Sequence, residues 1–123
     1  MTEQLEILLQ QAANKITNDH PTITHLYVST YEGCLILDRL SVAPRRRKQG
    51  TGTKAMQALC AFADAHGLTI LLGTTNQWGA TSRGRLRRFY SRFGILHNKG
   101  RHLDLSLSSE MYRPPTQTQG EPQ

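Results

Sequence analysis

Cys34-Leu35-Ile36-Leu37-Asp38-Arg39-Leu40-Ser41-Val42-Ala43-Pro44-Arg45-Arg46-Arg47-Lys48-Gln49-Gly50-Thr51-Gly52 is the stretch whose reading decides the fold. Its first half, to Val42, is rich in β-formers and reads as a strand. A basic turn follows, closed by Gly50 and Gly52, and a helical pattern then runs from Gly52 to His66. Strand, basic glycine turn and helix together suit a phosphorylated ligand. A helix N-terminus carries unpaired N–H groups and the positive end of the dipole. Glycine lets a phosphate come close to the backbone.

Three phosphate motifs compete for this turn. A P-loop needs four residues between its first Gly and a Gly-Lys-Ser/Thr, whereas Lys54 follows Thr53 here. Gly50-x-Gly52-x-x-Ala55 fits a loose dinucleotide fingerprint. That fingerprint wants an acid at the end of the next strand, and Leu72-Gly73-Thr74-Thr75-Asn76 offers none. The third pattern, Arg47-x-x-Gly50-x-Gly52 after Leu40-Ser41-Val42-Ala43-Pro44, resembles motif A of the GNAT superfamily of N-acetyltransferases. In that family the turn cradles the pyrophosphate of acetyl-coenzyme A.

Downstream residues add to the likeness. Leu68-Thr69-Ile70-Leu71-Leu72 reads as a buried strand parallel to the first, completing a βαβ unit. Ser82 to Phe93 reads as a helix with Leu86, Phe89, Tyr90 and Phe93 on one stripe, ended by Gly94. Arg88-Phe89-Tyr90-Ser91-Arg92-Phe93-Gly94-Ile95 resembles GNAT motif B, in which the Tyr of many members protonates the departing coenzyme A thiolate. The resemblance covers about Leu35 to Tyr112. It implies an α/β (α+β) fold with a mixed central sheet flanked by helices, and a splayed βαβ site for acetyl-coenzyme A.

The same resemblance assigns roles. Ser41 and Val42 lie on the strand edge that would hold the pantetheine arm, Val42 N–H being a candidate oxyanion donor. Gln49, Gly50, Gly52 and Thr53 face the pyrophosphate, and Arg47 and Lys48 add charge. Asn76 and Arg83 are the remaining coenzyme candidates. Two departures stand out: Lys48 occupies a place where the family often has Gly, and Arg83 one where it commonly has Asn. Tyr90 is the acid. Asp38 shares a strand face with Ile36, Leu40 and Val42, opposite Leu35, Leu37, Arg39 and Ser41. It reads either as an edge carboxylate paired with a cation or as a general base whose pKa partial burial raises.

The flanking segments are simpler. Residues 2–18 form an amphipathic helix, with Leu5, Leu8, Leu9, Ala12, Ala13 and Ile16 at helical spacing. Ile23 to Thr30 pairs with Cys34 to Val42 as a hairpin turned at Glu32-Gly33. Ile95-Leu96-His97 and roughly Leu103 to Met111 supply the last strands. The loop holding Trp78 has either a core-packing or a substrate-side aromatic. Residues 1–113 make one domain, and Pro114 to Gln123, rich in Pro, Gln and Thr, reads as a disordered tail. The ending Ser109 to Pro114 also looks like small GNAT-like proteins of bacteriophages and prophages.

Composition sets limits. A length of 123 residues allows one domain with a real core. No apolar run approaches the ~20 residues of a membrane span. Glu3 and Glu6 with no basic leader exclude a signal peptide, and Cys34 and Cys60 lack metal-ligand spacing, so reduced thiols in a cytoplasmic protein of a bacterial or phage-infected cell are expected. The net charge is +6, and no Asp or Glu occurs between Ala65 and Leu103. Such a positive face draws polyanions. Two other functions therefore stand beside the acetyltransferase: a nucleic-acid-binding protein using the basic face and its aromatics, and a coenzyme A-binding GNAT fold without catalysis. Arg85, Arg88 and Arg92 read as solvated helix positions. The short N-terminal half leaves few residues for an acceptor pocket, which suits a homodimer completing it.

Overall fold

A computed structural model describes residues 2–43, 50–72, 88–107 and 109–116. Helix α1 spans Thr2–Asp19, strands β1 and β2 span Ile23–Tyr31 and Cys34–Val42, and helix α2 spans Thr51–His66. Strands β3 (Thr69–Leu72), β4 (Leu96–His97) and β5 (Met111–Arg113) follow, with a 3₁₀ turn at Gly100–His102 between the last two. These strands form one mixed sheet in the order β1-β2-β3-β5-β4.

The core follows the sequence periodicity with one shift. Leu9, Ala13 and Ile16 of α1 are buried beside Ala55, Met56, Leu59, Cys60 and Ala63 of α2 and Leu35, Leu37, Leu40 and Ile70 of the sheet. Leu8, expected on the buried stripe, is 44% exposed beside Ile7. The β1–β2 turn puts Glu32 at φ 48° and Gly33 at φ 79°. Positive φ at both central residues matches the twist of the flanking strands. Helix α2 ends at Gly67, φ 66°, whose N–H donates to the Asp64 carbonyl while Leu68 N–H returns to Ala63 O at 2.8 Å.

Strand β1 is a sheet edge, and α1 covers part of it. Glu6 accepts the Thr30 N–H at 2.8 Å and the Thr30 hydroxyl at 2.9 Å, while Gln10 Nε2 donates to Val28 O at 2.7 Å. Outward-facing backbone groups that would otherwise template another strand are thus occupied. Hydrogen bonds from Gln10, then from Thr30, hold the Glu6 carboxyl below its ordinary pKa. Because the folded pKa is depressed, this contribution is present above the ordinary value and is lost as pH falls through the folded one. Glu6→Ala is expected to cost about 1 kcal/mol, read as a lower urea midpoint with an unchanged slope.

Two expectations for the C-terminal third are corrected. Residues 103–107 are not strand. Asn98 gathers the chain after it: its Nδ2 donates to Leu107 O and Ser109 O, both at 3.1 Å, and its Oδ1 accepts Asp104 N–H at 2.7 Å. These side-chain bonds to backbone displace a ladder, so β5 begins only at Met111. Nor is residue 114 the start of a loose tail. Arg113, 7% exposed, forms a bidentate pair with Asp64 at 2.8 and 3.0 Å and donates through Nε to Phe93 O at 2.8 Å. Thr116 then donates its N–H and its hydroxyl to the same Asp64 carboxylate, at 2.8 and 2.9 Å. Residues 117–123 lie outside the described residues.

Candidate active site

Strands β2 and β3 run parallel for only three pairs, Cys34↔Thr69, Leu35↔Ile70 and Ile36↔Leu71. Beyond Ile36, β2 stays paired with β1 as far as Val42↔Ile23, whereas β3 ends at Leu72. This stretch of β2 carries a β-bulge: Val28 pairs with Leu37 and Tyr27 with Arg39, so Asp38 is left over. An extra residue bends and twists its strand.

The bulge overturns the two-faced reading of β2. Leu35 and Leu37 are buried, and after Asp38 the phase slips, so Leu40 and Ser41 are buried too. Asp38 itself is exposed, so the partial burial expected of a tuned base is not there. Ser41 has partners of its own. Its hydroxyl accepts from Arg39 Nε at 3.2 Å and its carbonyl from the Thr24 hydroxyl at 3.3 Å. That carbonyl faces β1, as does Ala43 N–H, which donates to Thr22 O at 2.8 Å. Peptide groups alternate sides along a strand, so those of Val42 point away from β1.

Thr22 joins the end of β2 to the start of α2: its carbonyl takes Ala43 N–H, and its hydroxyl donates to Thr51 Oγ1 at 3.5 Å. Helix α2 is capped by Gly50 at φ 82°, a conformation that L side chains rarely adopt. The first intrahelical bond runs from Lys54 N–H to Gly50 O at 3.0 Å. The amides of Thr51, Gly52 and Thr53 therefore have no acceptor inside the helix. This donor set fits a phosphate group.

The segment at 88–91 is helical. Phe89 packs on the first turn of α2, its Cζ lying 3.4 Å from where a Cβ on Gly52 would stand. Tyr90 is fully buried beside Phe89, the two ring centroids 5.1 Å apart. Burial pushes the Tyr90 phenol above its ordinary pKa, so the hydroxyl keeps its proton at neutral pH. Arg92, read from sequence as a solvated position, is exposed; its guanidinium also lies over Phe89 and donates to the Thr53 hydroxyl at 3.3 Å. Its spacing from Phe89 suggests a stack, but no sequence signal places Thr53 beside it.

The structure thus ties the end of β2 to the start of α2 through Thr22, seats Phe89 on Gly52, buries Tyr90 beside Phe89 and leaves Asp38 exposed on the bulge. Arg47, Lys48, Gln49, Asn76, Trp78 and Arg83 lie outside the described residues. Among the described residues no helix is long and apolar enough to cross a membrane.

The profile of the acetyltransferase (GNAT) family matches residues 13–95, more than half the chain, and the chain belongs to that family. Its fold is similar to the crystal structure of Ard1 from Thermoplasma volcanium, with 16% identity and a TM-score of 0.51 over 85% of this chain and 78% of that one. Comparison with curated proteins gives no match. The chain is thus a GNAT-fold protein of the acetyltransferase class.

Proposed function

We propose that the chain is an acetyl-coenzyme A-dependent N-acetyltransferase that moves the acetyl group to an amine by direct attack. One observation carries the reading: the α2 start, whose Thr51–Thr53 amides have no acceptor inside the helix, is joined to the end of β2 through Thr22 and to the Tyr90-bearing segment through Phe89. The coenzyme pyrophosphate sits on those amides and the pantetheine arm runs along the β3-facing side of β2. The amine nitrogen attacks the thioester carbonyl. Val42 N–H donates to the oxygen as it takes up negative charge. The carbon–sulfur bond breaks, and the thiolate takes its proton from Tyr90. The amine's proton leaves through water, with Asp38 as the receiving carboxylate.

Calorimetry with acetyl-coenzyme A tests the reading, and absence of binding to the wild-type chain rejects it. Gly52→Asp makes the test sharper. A carboxylate in the first turn suits the helix dipole, so the melting temperature is expected to hold. The same charge repels the phosphates, so coenzyme binding is expected to vanish. Loss of the fold in this variant would show instead that Gly52 serves the packing of Phe89. The acceptor is an amine of a small molecule or a protein, and a second copy of the chain completes its pocket. The charge of +6 is expected to give only weak nucleic-acid binding that falls steeply with salt. A tight, sequence-selective complex would favour a nucleic-acid-binding function.

A further inference from the structure

We propose that Arg92 is a phosphate-binding residue for the coenzyme, a role that rests on the acetyltransferase reading above. The guanidinium carbon lies 5.4 Å from the centroid of the Phe89 ring, and Nη2 donates to Thr53 Oγ1 at 3.3 Å. Phe89 is itself seated against Gly52. The cation is therefore fixed at two points beside the first turn of α2, where the amides of Thr51, Gly52 and Thr53 lack intrahelical acceptors. Among the described residues Arg92 has no carboxylate partner.

The chemistry suits a phosphate better than a structural post. Guanidinium presents five N–H donors in a planar fork, and Thr53 engages one nitrogen. Stacking on Phe89 leaves the fork's edge free to donate while holding its plane, so little rotamer freedom is lost when an anion arrives. A purely structural arginine at an exposed position would gain little from one hydroxyl and one ring face. Charge-assisted bonds to phosphate are roughly twice as strong as neutral ones. Two places on the coenzyme offer that chemistry, the pyrophosphate and the 3′-phosphate of the ribose.

Calorimetry on the full chain separates the cases, using acetyl-coenzyme A, its 3′-dephospho form and acetyl-pantetheine, which lacks every phosphate. Arg92→Gln is expected to raise the Kd of acetyl-coenzyme A about 10-fold or more and to leave the Kd of acetyl-pantetheine where it is. Arg92→Lys keeps the charge without the fork and is expected to fall between. If the dephospho form shows the same 10-fold loss, Arg92 holds the pyrophosphate; if it shows none, Arg92 holds the 3′-phosphate. An equal loss for all three ligands, or no loss for any, overturns the assignment and makes Arg92 a packing residue. A wild-type chain that binds none of the phosphorylated ligands overturns the acetyltransferase reading as well. Thermal melts of both variants guard against reading a folding defect as lost affinity.

Discussion

Tyr90→Phe is expected to lower turnover by about 10²–10⁴-fold while leaving coenzyme affinity and melting temperature nearly unchanged. The ring is wholly buried against Phe89 and the core, and Phe keeps that packing. What is lost is a single hydroxyl whose phenol burial holds in the protonated form. An acid must carry its proton at working pH, and this one does so well beyond neutrality. Since its folded pKa lies above the ordinary value of 10.0, an alkaline fall in rate below that pH belongs to another group. Thiol release from acetyl-coenzyme A, with an amine acceptor or as slow hydrolysis, reads the effect. Equal turnover in the variant, where chemistry limits the rate, would assign Tyr90 to the core alone.

Arg113→Ala is expected to destabilise the fold by about 3–5 kcal/mol, a drop in melting temperature on the order of 10 °C or more. The substitution leaves Asp64, whose side chain is 14% exposed, without its cation and removes the bond to Phe93 O. Among the described residues Thr116 is then the remaining donor to the carboxylate. Paired replacement of Asp64 and Arg113 by apolar residues of similar volume is expected to recover much of the loss, because no charge is stranded. The acid limb gives a second check. The Arg113 guanidinium holds the Asp64 carboxyl at about 2, against 3.8 ordinarily. Its contribution is therefore full above pH 3.8 and fades as pH falls towards 2. Partial solvent access screens the pair, so this term is at most about 2 kcal/mol. A wild-type acid limb no different from that of the paired variant would remove the clamp from the account.

What the sequence made legible was local. Helix α1, the Glu32-Gly33 hairpin, α2 with its Gly67 stop and the parallel strand β3 follow from periodicity and turn chemistry within short windows. The glycine turn and the Tyr90 segment were legible as motifs. Asp38 was misplaced because a one-residue bulge reverses the facing of every later position in the strand, and alternation alone cannot mark it. Strand β5 was placed too early because Leu103, Leu105 and Leu107 imitate a strand, while the bonds of Asn98 that deny one reach across the loop. Arg92 and the Asp64–Arg113 pair depend on partners 39 and 49 residues away, beyond any local pattern.

The place of β5 in the sheet bears on how the chain is made. It is the last strand in sequence, yet it lies between β3 and β4. During vectorial synthesis the α1-to-β3 unit can assemble as it emerges, but among the described residues Leu96 and His97 pair with Tyr112 and Met111 alone. Until those residues leave the ribosome, β3 has an open side and β4 has no sheet to join. Such late, long-range pairing is slow and exposes an unpaired strand meanwhile. A nascent chain halted before Met111 is therefore the form in which this protein is most open to chaperones, proteases and its own neighbours.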